Sequence, residues 1–206
     1  MDYSFKSIGR LVSFLEKLEK DTYPELPAAI HTQITEQAVE HLLDNYPLSQ
    51  DSIILDVGCG QGPALKIFTE KGFSPIGITL NDTDLEICRS KGYHAAKMDQ
   101  SFLVFDDGKF DVVWARHVIE HSIFPYFTLS EFCRVLKRGG LLYLEVPAPE
   151  TSCVNESNPN HYSVLGYTMW LALHERSGFE ILEGKKYFLK TVSGPEEYWG
   201  FYSRKI

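Results

Sequence analysis

With 206 residues, the chain has the length of one α/β domain and can bury a core without disulfides or metals. Its residues are 44% hydrophobic and 23% charged, and no apolar run approaches the roughly 18 residues that cross a bilayer. A formal charge of −8 opposes general attraction to phosphate backbones, so neither a membrane nor a nucleic acid is an expected partner.

Met1 to Arg10 mixes Asp2, Lys6 and Arg10 with short apolar runs and lacks the continuous apolar core of a secretory signal, so a cytoplasmic location is expected. The four cysteines, Cys59, Cys88, Cys133 and Cys153, form no CxxC pair and are expected as reduced thiols. Ile8, Leu11, Val12, Leu15 and Leu18 fall at helical spacing and predict a first amphipathic helix. After Pro24 and Pro27, the stretch Thr32 to Leu43 repeats the pattern and predicts a second.

Alternation then begins. Strands are predicted over Ser52 to Val57, Pro75 to Leu80, Tyr93 to Met98, Asp111 to Ala115 and Leu141 to Val146. Between them Pro63 to Lys71, Asp82 to Lys91 and Tyr126 to Leu136 read as helices. Ala148 to Pro159 is loop-like, Ser163 to Ser177 helical, and Glu180 to Val192 with Glu197 to Arg204 reads as a closing hairpin. Strands alternating with helices imply a mostly parallel sheet covered on both faces. One domain is expected, with 1–50 as a helical lid, 51–147 as the core, and 148–206 as loop, helix and closing strands.

The most informative segment is Asp56-Val57-Gly58-Cys59-Gly60-Gln61-Gly62, where glycines crowd the turn from a buried strand into a helix. Glycine permits φ > 0 and close approach of backbone to a ligand, and a helix N-terminus offers free N–H donors. The spacing Gly-x-Gly-x-Gly differs from the dinucleotide pattern G-x-G-x-x-G. Phe110 to His121 and Arg134-Val135-Leu136-Lys137-Arg138-Gly139-Gly140 add a fourth-strand segment and a sharp turn into the fifth strand.

From about Ile53 to Pro147 these segments resemble class I methyltransferases, whose cofactor is S-adenosylmethionine. The resemblance implies a Rossmann-like, doubly wound, mostly parallel seven-stranded sheet with N-terminal helices and a C-terminal antiparallel hairpin. It implies that Gly58, Cys59, Gly60, Gln61 and Gly62 wrap the methionine part of the cofactor, with Asp56 fixing the turn and the amino end. Asp99 matches the position used near the adenine amino group, with Gln100 and Ser101 beside it, and Arg116 and His117 follow the fourth strand. At the end of strand two the family usually carries Asp or Glu for the ribose hydroxyls, and here the residues are Thr79 and Leu80. A hydroxyl makes only a weaker contact; Gly77-Ile78-Thr79-Leu80 resembles the arrangement in cyclopropane fatty acid synthase-like relatives.

Methyl transfer needs a nucleophile aligned behind the methyl group and sometimes a base. His117, Glu120, His121 and His161 follow strand C-termini, where the crevice opens, and are the candidate bases, His117 and His161 first. His117 and His121 lack a third ligand, so no metal is expected. A small molecule is the expected substrate, and the protein is expected as a monomer or homodimer. Two alternatives stay open: a non-catalytic S-adenosylmethionine-binding module, and an NAD-dependent oxidoreductase, against which Thr79 and the glycine spacing argue.

Overall fold

A computed structural model describes residues 5–23 and 28–206. Pro24, Pro27 and the aromatic Tyr3 lie outside the described residues. Two helices come first, α1 (Phe5–Lys20) and α2 (Ala29–Asn45), followed by β1 (Ile54–Val57), α3 (Pro63–Glu70), β2 (Ile76–Thr79), α4 (Asp82–Ser90) and β3 (His94–Lys97). Next come β4 (Phe110–Arg116), a 3-10 turn (Ile119–His121), α5 (Pro125–Val135) and β5 (Leu136–Pro147). A second 3-10 turn at Asn155–Ser157 precedes α6 (Tyr167–Arg176), β6 (Phe179–Thr191) and β7 (Gly194–Lys205).

The strands form one seven-stranded sheet in the order β3-β2-β1-β4-β5-β7-β6. The first five are parallel, while β7 runs antiparallel to both β5 and β6. This is the expected doubly wound sheet with its closing hairpin, and β7 enters between β5 and β6. Strand order reverses between β1 and β4, which opens a crevice at their C-terminal ends.

Strand side chains alternate in direction, and the core divides accordingly. Leu55, Val57, Val113, Ala115, Leu142 and Leu144 pack with Leu129, Phe132 and Trp170 of α5 and α6. Ile54, Val112, Trp114, Leu141 and Tyr143 pack with Ala38, Val39 and Leu42 of α2 and with Ala64, Ile67 and Phe68 of α3. By the same alternation Asp56, Arg116 and Glu145 share the α2 and α3 face, and Arg116 pairs in register with Glu145. Polar residues thus crown the C-terminal ends of apolar strands.

Two boundaries differ from expectation. The helix expected from Ser163 begins at Tyr167, because Ser163 is engaged elsewhere: its hydroxyl donates to Ser122 O at 2.6 Å and its N–H to Glu120 O at 3.0 Å. The fifth strand starts at Leu136, directly after α5, with an irregularity opposite Phe110 and Val112 in place of a separate turn. A Cβ on Gly140 would stand 2.9 Å from Lys137 O and 3.1 Å from Asp111 O, so this crowded backbone accepts only glycine without moving.

Trp114 holds the α2 and α3 layer to the sheet, stacked on Tyr143 at 4.2 Å and edge-on to Phe68 at 5.5 Å between ring centroids. Trp114→Ala should cost about 3–5 kcal/mol of stability, read from urea denaturation curves; a loss below ~1 kcal/mol would mean that this layer does not depend on it.

Candidate functional site

Two cavities open at the crevice and share the wall formed by Tyr23, Gly58, Gly60 and His117. The first, about 160 Å³, runs along the ends of β1, β2 and β3 under Leu15 and Leu18 of α1. The second, about 550 Å³, lies beneath the start of α2 and is lined by Asp56, Cys59, Gln61, Trp114, Arg116, Glu120 and His161.

The three glycines of the turn are required for different reasons. All have positive φ, at 68°, 49° and 84° for Gly58, Gly60 and Gly62. A Cβ on Gly58 would meet Val118 at 2.4 Å, and one on Gly62 would meet Tyr93 at 2.9 Å, so these two are small because the protein packs against them. A Cβ on Gly60 would meet nothing within 4 Å, and Gly60 lines both cavities. Gly60 is therefore the position where the turn leaves an open cradle. Beside it Asp56 is only 3% exposed, and its Oδ2 has no hydrogen-bond partner. Burial, and then the nearby Cys88, push its carboxyl well above the usual carboxylate range.

The first cavity gathers Thr79, Leu80, Asp99, Gln100 and Ser101 as the sequence grouped them. Their hydrogen bonds show how they are held. Thr79 Oγ1 accepts from Asn81 N–H at 3.2 Å, Asp99 Oδ1 accepts from Ser101 N–H at 2.6 Å, and Gln100 Nε2 donates to Val118 O at 2.7 Å. The Gln100 Oε1 is buried without a partner. The Ser101 hydroxyl lies 2.8 Å from that of Thr128, inside the protein. The acidic lining residue that the sequence did not single out is Asp84, 3% exposed, in the first turn of α4. Its signal was present in the run Asn81-Asp82-Thr83-Asp84, where Asn81 caps the helix through Asp84 N–H at 3.1 Å, but helix-start acids are common enough to hide it.

The second cavity is walled by a charged cluster at the ends of β4 and β5. Glu145, fully buried, has Oε1 2.8 Å from Arg116 Nε and 3.0 Å from His117 Nε2, while its Oε2 accepts from the Tyr143 hydroxyl. Glu120 Oε1 lies 3.3 Å from the other ring nitrogen of His117. His117 adopts φ +50°, a left-handed conformation uncommon outside glycine, and its N–H donates to Glu145 O at 2.9 Å. Burial alone would lower the His117 pKa, but the two carboxylates outweigh it and raise it to about 9. Burial opposes ionisation of Glu145, yet the Arg116 charge and the His117 contact bring it to about 2. His31 of α2 faces this cluster, and burial, then the charges of His117 and Arg116, hold it at about 4.

His121 and His161 adjoin that cluster through Glu120, with ring centroids 4.9 Å from each other. Each donates Nδ1–H to a backbone carbonyl at 2.9 Å, His121 to Asn160 and His161 to Asn155. A carbonyl only accepts, so both rings keep Nε2 as the lone-pair nitrogen. Burial lowers the His161 pKa, which keeps that ring neutral. All four residues singled out as candidate bases thus border the cavities, in two different electrostatic settings.

Residues 55–144 match the family model described as a methyltransferase domain. The 27-O-demethylrifamycin SV methyltransferase of Amycolatopsis mediterranei is 29% identical over 130 residues, covering 57% of this chain and 48% of that one. The 24-methylenesterol C-methyltransferase 2 of Oryza sativa subsp. japonica is 28% identical over 151 residues, 69% of this chain and 41% of that one. The chain spans about half the length of the curated relatives it matches. Among solved structures, a SAM-dependent methyltransferase from Methanosarcina mazei superposes with a TM-score of 0.69 at 20% identity, over 80% of this chain and 97% of that one, a likeness of fold. In its sheet order, its glycine turn and this domain match, the chain is similar to the class I S-adenosylmethionine-dependent methyltransferases.

Proposed function

We propose that the chain transfers a methyl group from S-adenosylmethionine to a small-molecule acceptor held in the larger cavity. The observation that carries this reading is the shared wall at Gly58, Gly60 and His117, where a cofactor filling the first cavity meets an acceptor filling the second. When bound, S-adenosylmethionine supplies an electrophilic methyl group on a sulfonium. The chain's own residues fit it. The buried, unpartnered Asp56 Oδ2 suits the cofactor's ammonium, and Gly60 leaves room for its methionine part. Asp84 supplies, beside Thr79, the carboxylate that the end of β2 lacks, and together they suit the ribose hydroxyls. Asp99 and the unpartnered Gln100 Oε1 suit the adenine amino group.

His117 has both ring nitrogens against carboxylates, and we assign it a positioning role for Glu120 and the cavity wall rather than that of a base. The candidate lone-pair nitrogens are Nε2 of His161, which borders the larger cavity, and of His121, which borders the first. Leu15, Leu18, Thr22 and Tyr23 border the first cavity, and Asn160 and Asn158 reach Asp21 O at 2.9 Å and the Tyr23 hydroxyl at 3.2 Å. This contact supports α1 and the 148–162 loop acting as a joint cover that excludes water. The relatives named for a rifamycin and a sterol acceptor support a largely apolar acceptor body.

Calorimetric titration with S-adenosylmethionine, S-adenosylhomocysteine and NAD should give micromolar binding of the first two and none of NAD, and labelled methyl should then appear in product from a panel of hydroxylated apolar acceptors. Binding of NAD alone would overturn the reading, and cofactor binding without transfer to any acceptor would favour the non-catalytic module. Asp84→Asn should weaken cofactor binding about tenfold, or ~1.4 kcal/mol, while Thr79→Val should do less. Pairing Asp56 with an ammonium requires the carboxylate form, so cofactor binding expels the proton that burial keeps on it. Affinity should therefore rise with pH above the ordinary carboxylate range, and Asp56→Asn should flatten that dependence.

A further inference from the structure

We propose that Glu120, His121 and His161 form a divalent-metal site open to the acceptor cavity. The site itself stands apart from methyl transfer, and the chemical role given to it rests on that reading. One ligand atom from each residue lies within 4.8 Å of the other two. Ligands around a tetrahedral ion with bonds of ~2.1 Å stand ~3.4 Å apart, so each separation shortens by at most ~1.4 Å to close the set.

Orientation and burial add to proximity. Both histidines commit Nδ1–H to backbone carbonyls and keep Nε2 as a lone pair, the arrangement by which metal-binding histidines are usually oriented. Glu120 is 1% exposed, and its Oε2 is buried with no hydrogen-bond partner, while Oε1 faces His117. An unsatisfied buried carboxylate oxygen is costly, and a cation at Oε2 would satisfy it. The ligand-bearing segments are also clamped together, since Glu120 O accepts from Tyr162 N–H at 2.8 Å and Ser163 N–H at 3.0 Å. Those bonds hold the His161 loop against the 3-10 turn that carries the other two ligands. The sequence reading tried His117 beside His121 and found no third ligand; His117 is engaged by two carboxylates, and the missing ligand arrives from the distant loop.

Two imidazoles and one carboxylate suit Zn²⁺, Fe²⁺ or Co²⁺ better than Mg²⁺. His121 borders the first cavity and Glu120 and His161 the second, so the open coordination positions face the junction between them. An oxygen acceptor is the ligand they would take. A metal-bound hydroxyl loses its proton to solvent more readily, and the resulting R–O⁻ attacks the sulfonium methyl, forming R–O–CH₃ as the carbon–sulfur bond breaks to leave a thioether.

The test is titration of Co²⁺ into the metal-free protein, followed by visible absorption, with S-adenosylhomocysteine calorimetry on the same samples. One equivalent of Co²⁺ should bind with the intense bands of a four- or five-coordinate ion, and acetohydroxamate, an oxygen chelator, should shift them. His161→Ala and His121→Ala should each lower Co²⁺ affinity by more than the ~10–100-fold that loss of an outer-shell partner costs, and His161→Ala, which lies outside the first cavity, should still bind S-adenosylhomocysteine. Glu120→Gln is a weaker variant because it also unpairs His117. A wild-type protein that binds S-adenosylhomocysteine but leaves Co²⁺ with its aqueous spectrum overturns the metal site and spares the methyl-transfer reading. Co²⁺ binding unchanged in both histidine variants overturns it equally, and Co²⁺ binding without cofactor binding sinks the methyl-transfer reading alone.

Discussion

A single carboxylate with no exposure to water, Glu145, organises the wall of the larger cavity. A charge buried at the end of β5 is tolerable only with compensation, and it draws Arg116, His117 and Tyr143 onto itself. Removing any one partner would leave a buried charge less fully compensated. His117 is held in a left-handed backbone conformation by the same constraint, and its ring passes the restraint on to Glu120. The cluster carries two cationic and two anionic groups, so the wall of the larger cavity is polar yet close to neutral. Such a wall can face an apolar acceptor body without attracting a highly charged one.

The cofactor side follows a different constraint, the reversal of strand order between β1 and β4. That reversal splits the covering helices and leaves a crevice where no backbone element can fill the space. Asp56 stands at its floor, on the face otherwise filled by Ile54, Trp114 and Tyr143. Burial pushes its carboxyl well above the usual carboxylate range, so a cation beside it would favour the ionised form. The sheet therefore prepares two chemically distinct chambers from one topological feature.

The glycine turn joins them, and its residues divide their labour. Gly58 and Gly62 are small so that Val118 and Tyr93 can pack, and Gly60 is small so that the cavity stays open. A residue type dictated by packing at two positions and by a ligand at the third looks the same in sequence, and only neighbouring side chains separate the causes.

The elements themselves were legible in the sequence, because helical and strand periodicities are local and the glycine turn, the Asp99 segment and the fourth-strand segment keep their chemistry within a few residues. Composition and alternation by themselves determined a doubly wound α/β sheet, and the motifs determined where its crevice lies. Tertiary structure decided what required distant partners. Ser163 and Tyr162 bond to Glu120, more than forty residues earlier, which delayed α6 and carried His161 to His121. Glu145 looked like an ordinary strand residue until register set it beside Arg116. Asp84 looked like a helix-start acid until the end of β2 opened beside it. The physical reason is common to all three: a side chain's electrostatic role depends on its burial and on the charges that face it, and both are properties of packing that no local pattern encodes.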